Sequence, residues 1–316
     1  APLPDDLPLG WHEVHAFDGR ADPRVDAEIT VCTLVVTPWR LEPPRSRPAN
    51  NGRSWGLMAQ LYSVRSRRSW GIGDFVDLAA LAELTGTHGG DFLLINPVHA
   101  AEVTPPIEPS PYLPATRRFI APLYIRPDAV EEISHLSSAD RARVDEAWSS
   151  AADGQTDGLL IDRDTVWRAK KEVLEVLFAV PRNAERERAF QRFVAREGIA
   201  LADFALWCAI EEHYAGTLPS GQSRPAEARD PRSPLVAELR ERLAGRIAFH
   251  TWLQWIADDQ LAAAQDAAMQ AGMRIGIMHD LAVGVHPLGS DAWSLRDMYA
   301  QGIAVGAPPD LYNQQG

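Results

Sequence analysis

The chain has 316 residues, 46% hydrophobic and 23% charged, which suits one large globular domain with a smaller attachment. A formal net charge of −12 argues against a nucleic-acid partner, because phosphate binding calls for a basic face, and it fits a neutral ligand. No apolar run approaches the roughly 20 residues of a membrane-spanning helix, and the opening APLPDDLPLGW has neither the basic nor the apolar region of a signal peptide.

Taken in chain order, residues 1–45 read as the end of a small β-sandwich-like domain. Residues 27–37 (AEITVCTLVVT) are β-branched and alternating, and residues 11–17 (WHEVHAF) are a matching partner strand. Asp18-Gly19 and Ala21-Asp22-Pro23 supply the turn between them. Cys32 and Cys208 are too few and too far apart for a disulfide framework, which points to a reducing cytoplasm. Residues 38–51, with four prolines, form a linker.

A strand is expected at 55–62 (WGLMAQLY), a loop at 63–74, a helix at 75–85 (FVDLAALAELT) with Asp74 as N-cap, and a second strand at 91–95. Strand, helix and strand in this order make a βαβ unit with parallel strands. Residues 96–125 then carry seven prolines, too many for helix or central strand, and so form a long loop at a strand's end. Such loops serve as lids or binding surfaces. Ser110, Tyr112, Arg117, Arg118 and Tyr124 give it the polar and aromatic groups that suit a sugar.

Residues 128–272 are almost wholly helical by periodicity, with helices at 139–152, 163–179, 184–197, 201–214, 234–243 and 246–271. A third strand follows within 273–285 (MRIGIMHDLAVGV), then a short helix at 291–298 and a Pro/Gly-rich loop from 302 to 316. The fold class is therefore α/β. It reads as a partial (β/α)8 barrel, 46–127 holding the first βα units, 128–272 a large helical insertion, and 273–316 a further barrel strand and a truncated lid loop. An open three-stranded α/β sheet is the alternative.

Four segments carry a resemblance in register: QLYSVRSRRSWGIGDFVDL (60–78), INPVHA with SPY and RRFIAPLYI (95–125), IMHDLAVGVHPLGSDAW (277–293), and GAPPDLYNQQG (306–316). Together they resemble the 4-α-glucanotransferases, the amylomaltase or disproportionating-enzyme group of the α-amylase clan (glycoside hydrolase family 77). The resemblance implies a barrel enzyme that moves α-1,4-glucan segments between maltooligosaccharides by retaining double displacement. It implies no cofactor and no metal. Ser110, Tyr112, Asp280, Asp310 and Tyr312 carry over as substrate contacts, Asp280 at the base of the active site and Tyr312 on the lid over the acceptor sugar. Ala282 stands where the family usually has a proline, and Leu311 where it often has a first lid aromatic. The family's nucleophile, general acid and third carboxylate fall after the PPD loop, so no catalytic carboxylate is expected before Gly316. The chain alone is expected to be an inactive N-terminal fragment of undefined oligomeric state.

Other motifs read as structural. His99, His279 and His286 lack the spacing of a zinc site, and Gly71-Ile72-Gly73 lacks the third glycine of a dinucleotide loop. Trp167, Trp207, Trp252 and Trp255 fall at helix-compatible core positions, while Glu211-Glu212 and Asp258-Asp259 are expected on solvated faces. Two further readings stay open: a non-catalytic glucan-binding module, and an α-glucan hydrolase of the same clan.

Overall fold

The alternation at 11–17 and 27–37 is realised as a hairpin in which β1 (Gly10–Ala16) and β2 (Thr30–Val36) pair antiparallel, Trp11 opposite Val35 and Val14 opposite Cys32. His12, Val14, Leu34 and Val36 are half-buried, whereas Trp11, Glu13, Val31 and Val35 are exposed, which is the period of two expected of a one-sided sheet. The computed structural model describes residues 3–4, 6–16, 30–40, 53–153, 160–217, 224–300 and 303. The expected turn at 18–23, most of the linker, and the lid loop with Asp310 and Tyr312 lie outside the described residues. The hairpin belongs to one unit, residues 1–52, and everything below to a second, residues 53–316.

The second unit is built on three parallel strands, β3 (Gly56–Ala59), β4 (Phe92–Ile95) and β5 (Gly276–His279), in the order β3-β4-β5. Ala59, Ile95 and His279 are in register, so the three strands finish together at one edge. Leu93, Ile95 and Ile277 point to a buried face, while Met58 and Met278 on the other face are exposed. Between β3 and β4 runs α1 (Phe75–Thr87). Asp74 caps it as expected: its side chain accepts from the backbone N–H groups of Val76 and Asp77, and the Asp77 carboxylate accepts from Asp74 N–H. Such a cap contributes about 1 kcal/mol.

The helical stretch comprises α2 (Ser138–Asp153), α3 (Arg163–Phe178), α4 (Ala184–Thr217), α5 (Pro234–Arg242) and α6 (Ala244–Gln270). The two helices read at 184–197 and 201–214 are the halves of α4, which breaks at Gly198 with φ +60°. Helix α6 lies along α1 and reaches β5, so it shares the layer that covers the sheet. The approach is closest at Gly86, where an added Cβ would come within 2.8 Å of the Ala271 Cβ. Three glutamines on α6 act as peptide mimics. The Gln254 amide bonds both the N–H and C=O of Ile120, Gln260 does the same for Arg126, and Gln265 accepts from Ile277 N–H and donates to Ile275 C=O. The first two fasten the far limb and exit of the Pro-rich loop and the third the entry to β5, where backbone groups left unpaired would be costly.

The exit of that loop is held by a buried ionic cluster. Arg126 pairs with Asp74 and Asp77, and Lys170 donates to the carbonyls of Leu123 (2.7 Å) and Ile125 (2.8 Å). Burial, opposed by the Asp74 carboxylate, brings the Lys170 ammonium down to about 8. The expected tryptophans are core, Trp252 and Trp255 sharing a face of α6. Asp258 and Asp259 sit at the surface in ion pairs with Arg196 and Arg186. Glu212 corrects the solvated-face expectation. Its side chain is 17% exposed and receives Lys171, Arg246 and His250, because α4 turns this residue toward α3 and α6 rather than outward. No helix among the described residues is long and apolar enough to cross a membrane.

Candidate functional site

Parallel strands present their carboxyl ends on one side, and the loops that follow them meet there. After β4, Asn96 uses its side-chain oxygen to accept Leu61 N–H (2.6 Å), and its amide donates to the Pro97 carbonyl and the Tyr124 hydroxyl. One side chain thus ties the ends of β3 and β4 to the far limb of the Pro-rich loop. That loop doubles back on itself through a His99–Ile120 bridge and backbone bonds linking Ala100 to Phe119 and to Ala115.

After β5, Asp280 N–H donates to Ile95 C=O (3.1 Å), continuing the ladder one residue past the strand. Its carboxylate accepts the Tyr112 hydroxyl at 3.1 Å. Burial, then this hydrogen bond, raises the Tyr112 pKa above its ordinary value, so the phenol is a donor at neutral pH. Tyr112 is 49% exposed, leaving a ring face open, and Asp280 keeps a second oxygen that can accept from a ligand hydroxyl.

The two loops are laced together below this pair. Arg117 donates from its side chain to the Ala282 and Val283 carbonyls, and from its backbone to the Asp291 carboxylate (2.9 Å). Asp291, at the start of α7 (Ser290–Ser294), returns a backbone bond to Ala115 C=O. His99 Nε2 accepts Ala282 N–H at 3.4 Å, which leaves the ring proton on Nδ1. Burial, the Arg117 charge and His279 push His99 below its ordinary pKa, and burial does the same for His279. Among the described residues no group of three His, Cys, Asp or Glu side chains could hold a metal ion.

The structure brings together Tyr112 and Asp280 of the sequence-derived set. Ser110 sits on the same turn, where its hydroxyl accepts Tyr112 N–H at 3.4 Å, and its own N–H donates to Glu108. Asn96 and Asp291 were not singled out from sequence, and Arg117, read as a group suited to a sugar, is instead spent on bonds to Asp291, Ala282 and Val283. An Asn-Pro directly after an apolar strand was the signal for the first; the bonds of Arg117 and Asp291 cross 165–174 positions, and no local pattern announces them.

A family model described as 4-alpha-glucanotransferase matches residues 59–316. The chain is 46% identical over 321 aligned positions to the 4-alpha-glucanotransferase of Mycobacterium tuberculosis, covering 99% of this chain and 42% of that protein. It is 30% identical to the 4-alpha-glucanotransferase of Haemophilus influenzae, covering 96% and 44%. The crystal structure of amylomaltase from Corynebacterium glutamicum superposes with a TM-score of 0.78 at 44% identity, covering 99% of this chain and 41% of that one. The chain thus spans less than half the length of these relatives. With the family model matching most of its residues, the chain belongs to the 4-alpha-glucanotransferase family.

Proposed function

We propose that the protein transfers α-1,4-glucan segments between maltooligosaccharides, and that the Tyr112–Asp280 pair is part of its donor-sugar site. The observation that carries this reading is the 3.1 Å bond that joins the loops after β4 and β5 at the carboxyl edge of the sheet. A carboxylate with a spare oxygen beside an open tyrosine face is the kind of surface a pyranose ring binds. Family membership supports the same reading.

In this proposal β3, β4 and β5 are strands of a (β/α)8 barrel, with the exposed face of Met58 and Met278 turned to its interior. Residues 128–272 form the helical insertion and residues 1–45 belong to a separate β-domain. The nucleophile, general acid and third carboxylate of the retaining pathway lie in the part of the relatives' length that this chain does not match. Asp310 and Tyr312 would form the lid over the acceptor. The acidic balance of the chain supports a neutral glucan rather than a nucleic acid as partner, and two free cysteines support a cytoplasmic setting.

Maltotriose offered to the whole polypeptide tests the reaction. Transfer produces glucose together with chains longer than the starting trisaccharide, whereas hydrolysis yields only shorter products, and a binding module yields neither. Absence of longer products would sink the transferase reading.

A further inference from the structure

The chain between Asp280 and His286 takes its path from very little packing. Of residues 281–288 only Ala282 is buried, while Leu281, Val283 and Leu288 are 63%, 77% and 54% exposed. A segment that buries so little apolar surface is fixed by its hydrogen bonds. From His286 onward those bonds are several. His286 N–H donates to Pro114 C=O at 2.7 Å and Asp291 N–H to Ala115 C=O at 3.1 Å. Gly289 lies so close to the Pro-rich loop that an added Cβ would meet the Ala115 oxygen at 2.5 Å.

Among the described residues, the stretch just after Asp280 has two holds. Ala282 N–H donates to His99 at a long 3.4 Å, and the Arg117 guanidinium donates to the carbonyls of Ala282 (3.4 Å) and Val283 (3.1 Å). Both of the latter bonds come from Nη1, so one charged nitrogen bridges the carbonyls two and three residues beyond Asp280. Bonds from a charged donor are stronger than those between neutral groups. Arg117 is itself anchored, its backbone N–H donating to the buried Asp291 carboxylate at 2.9 Å. Asp280 is held at two other points, by its N–H to Ile95 and by its carboxylate to Tyr112. Neither fixes the peptide that leaves it, so the aim of the carboxylate depends on where Ala282 and Val283 are kept.

We propose that Arg117 is a positioning residue for the sugar site: it aims the Asp280 carboxylate by holding the Ala282 and Val283 carbonyls, and touches no sugar itself. The inference rests on the Tyr112–Asp280 reading above. A guanidinium that contacted the glucan, or one that only stabilised the fold, would act alike whatever side chain stands at 280.

Kinetics of the whole polypeptide on maltotriose test this, with Arg117→Met and Arg117→Lys each made in wild type and in Asp280→Asn. In wild type, Arg117→Met is expected to lower kcat/KM about tenfold, as a displaced contact group does. An ammonium can copy two bonds from one nitrogen, so Arg117→Lys is expected to recover most of the loss. In Asp280→Asn the same Arg117→Met change is expected to cost less than about twofold, because its route to the sugar is gone. The melting temperature should stay within about 4 °C of wild type, since the shorter of the two bonds is solvent-exposed. Equal losses in both backgrounds would overturn the proposal and leave the Asp280 site standing. So would an undiminished Arg117→Met enzyme, a lysine variant as slow as the methionine one, or loss of the fold in both. An Asp280→Asn enzyme of full activity would instead remove the site reading itself, and this inference with it.

Discussion

The Tyr112 hydroxyl reaches the Asp280 carboxylate across 168 positions of chain. Two loops that leave different strands are thereby joined where a sugar is proposed to bind. The bond is solvent-exposed, so its contribution is near 1 kcal/mol rather than the larger value of a buried charged pair. Tyr112→Phe is expected to lower kcat/KM on maltotriose about fivefold, and Asp280→Asn to lower it further. The double variant should fall short of the product of the two effects, since both remove one shared contact. Additive losses would show that the two residues act independently.

The Lys170 cluster makes a prediction with a definite sign. Folding takes this amine from 10.5 down to about 8. Between those values the unfolded chain binds more protons, so stability contributed by Lys170 rises with pH. A neutral amine still has two N–H groups for the Leu123 and Ile125 carbonyls. Lys170→Met is therefore expected to cost about 3 kcal/mol by leaving both carbonyls and part of the buried charge unpaired. In denaturant titrations the gap between wild type and variant should widen from pH 8 to 10. A gap that narrows over that interval contradicts the assignment.

Glu212 works in the opposite range. Burial alone would raise its pKa, but the hydrogen bonds from His250, Arg246 and Lys171 outweigh it and hold the carboxyl well below its usual value. Burial also lowers His250 below 6.5. A depressed carboxylate stabilises above its unfolded value of 4.5 and loses that contribution as pH falls; a depressed histidine resists protonation from 6.5 downward. Thermal stability should thus decline on acidification from about pH 6.5, and more steeply below 4.5. Glu212→Gln should flatten the lower limb, and an unaltered acid limb in that variant would rule the cluster out.

Gln254→Leu keeps the side-chain volume but strips the partners from Ile120 N–H and C=O. Leaving both groups unpaired is expected to cost about 2 to 4 kcal/mol. Faster amide exchange at Ile120 is the local readout, because this residue bridges to His99 beneath the site. Unchanged exchange there would mean that α6 does not fasten the loop.

The β-strands and helices were legible because periodicity and capping are local: Asp74 sits before an apolar run, and seven prolines forbid regular structure at 96–125. Tyr112 and Asp280 were legible through the SPY and HDLAV segments that carry the family resemblance. The lacing was not. Arg117 to Asp291, and Gln254 to Ile120, are pairings set by tertiary approach: Arg117 read as a group for a sugar, and nothing local marks Asp291 or Gln254 as its partner or the loop's. Glu212 misled for the same reason, since a Glu-Glu pair on a polar helix looks solvated until α3 and α6 are placed around it.

The measurement that bears most directly on the proposed site is a crystal structure of the protein soaked with a maltooligosaccharide. The account predicts a glucose residue with one hydroxyl in hydrogen-bond contact with Asp280 and its ring against Tyr112. A glucan that binds in order elsewhere, with this pair untouched, would contradict it.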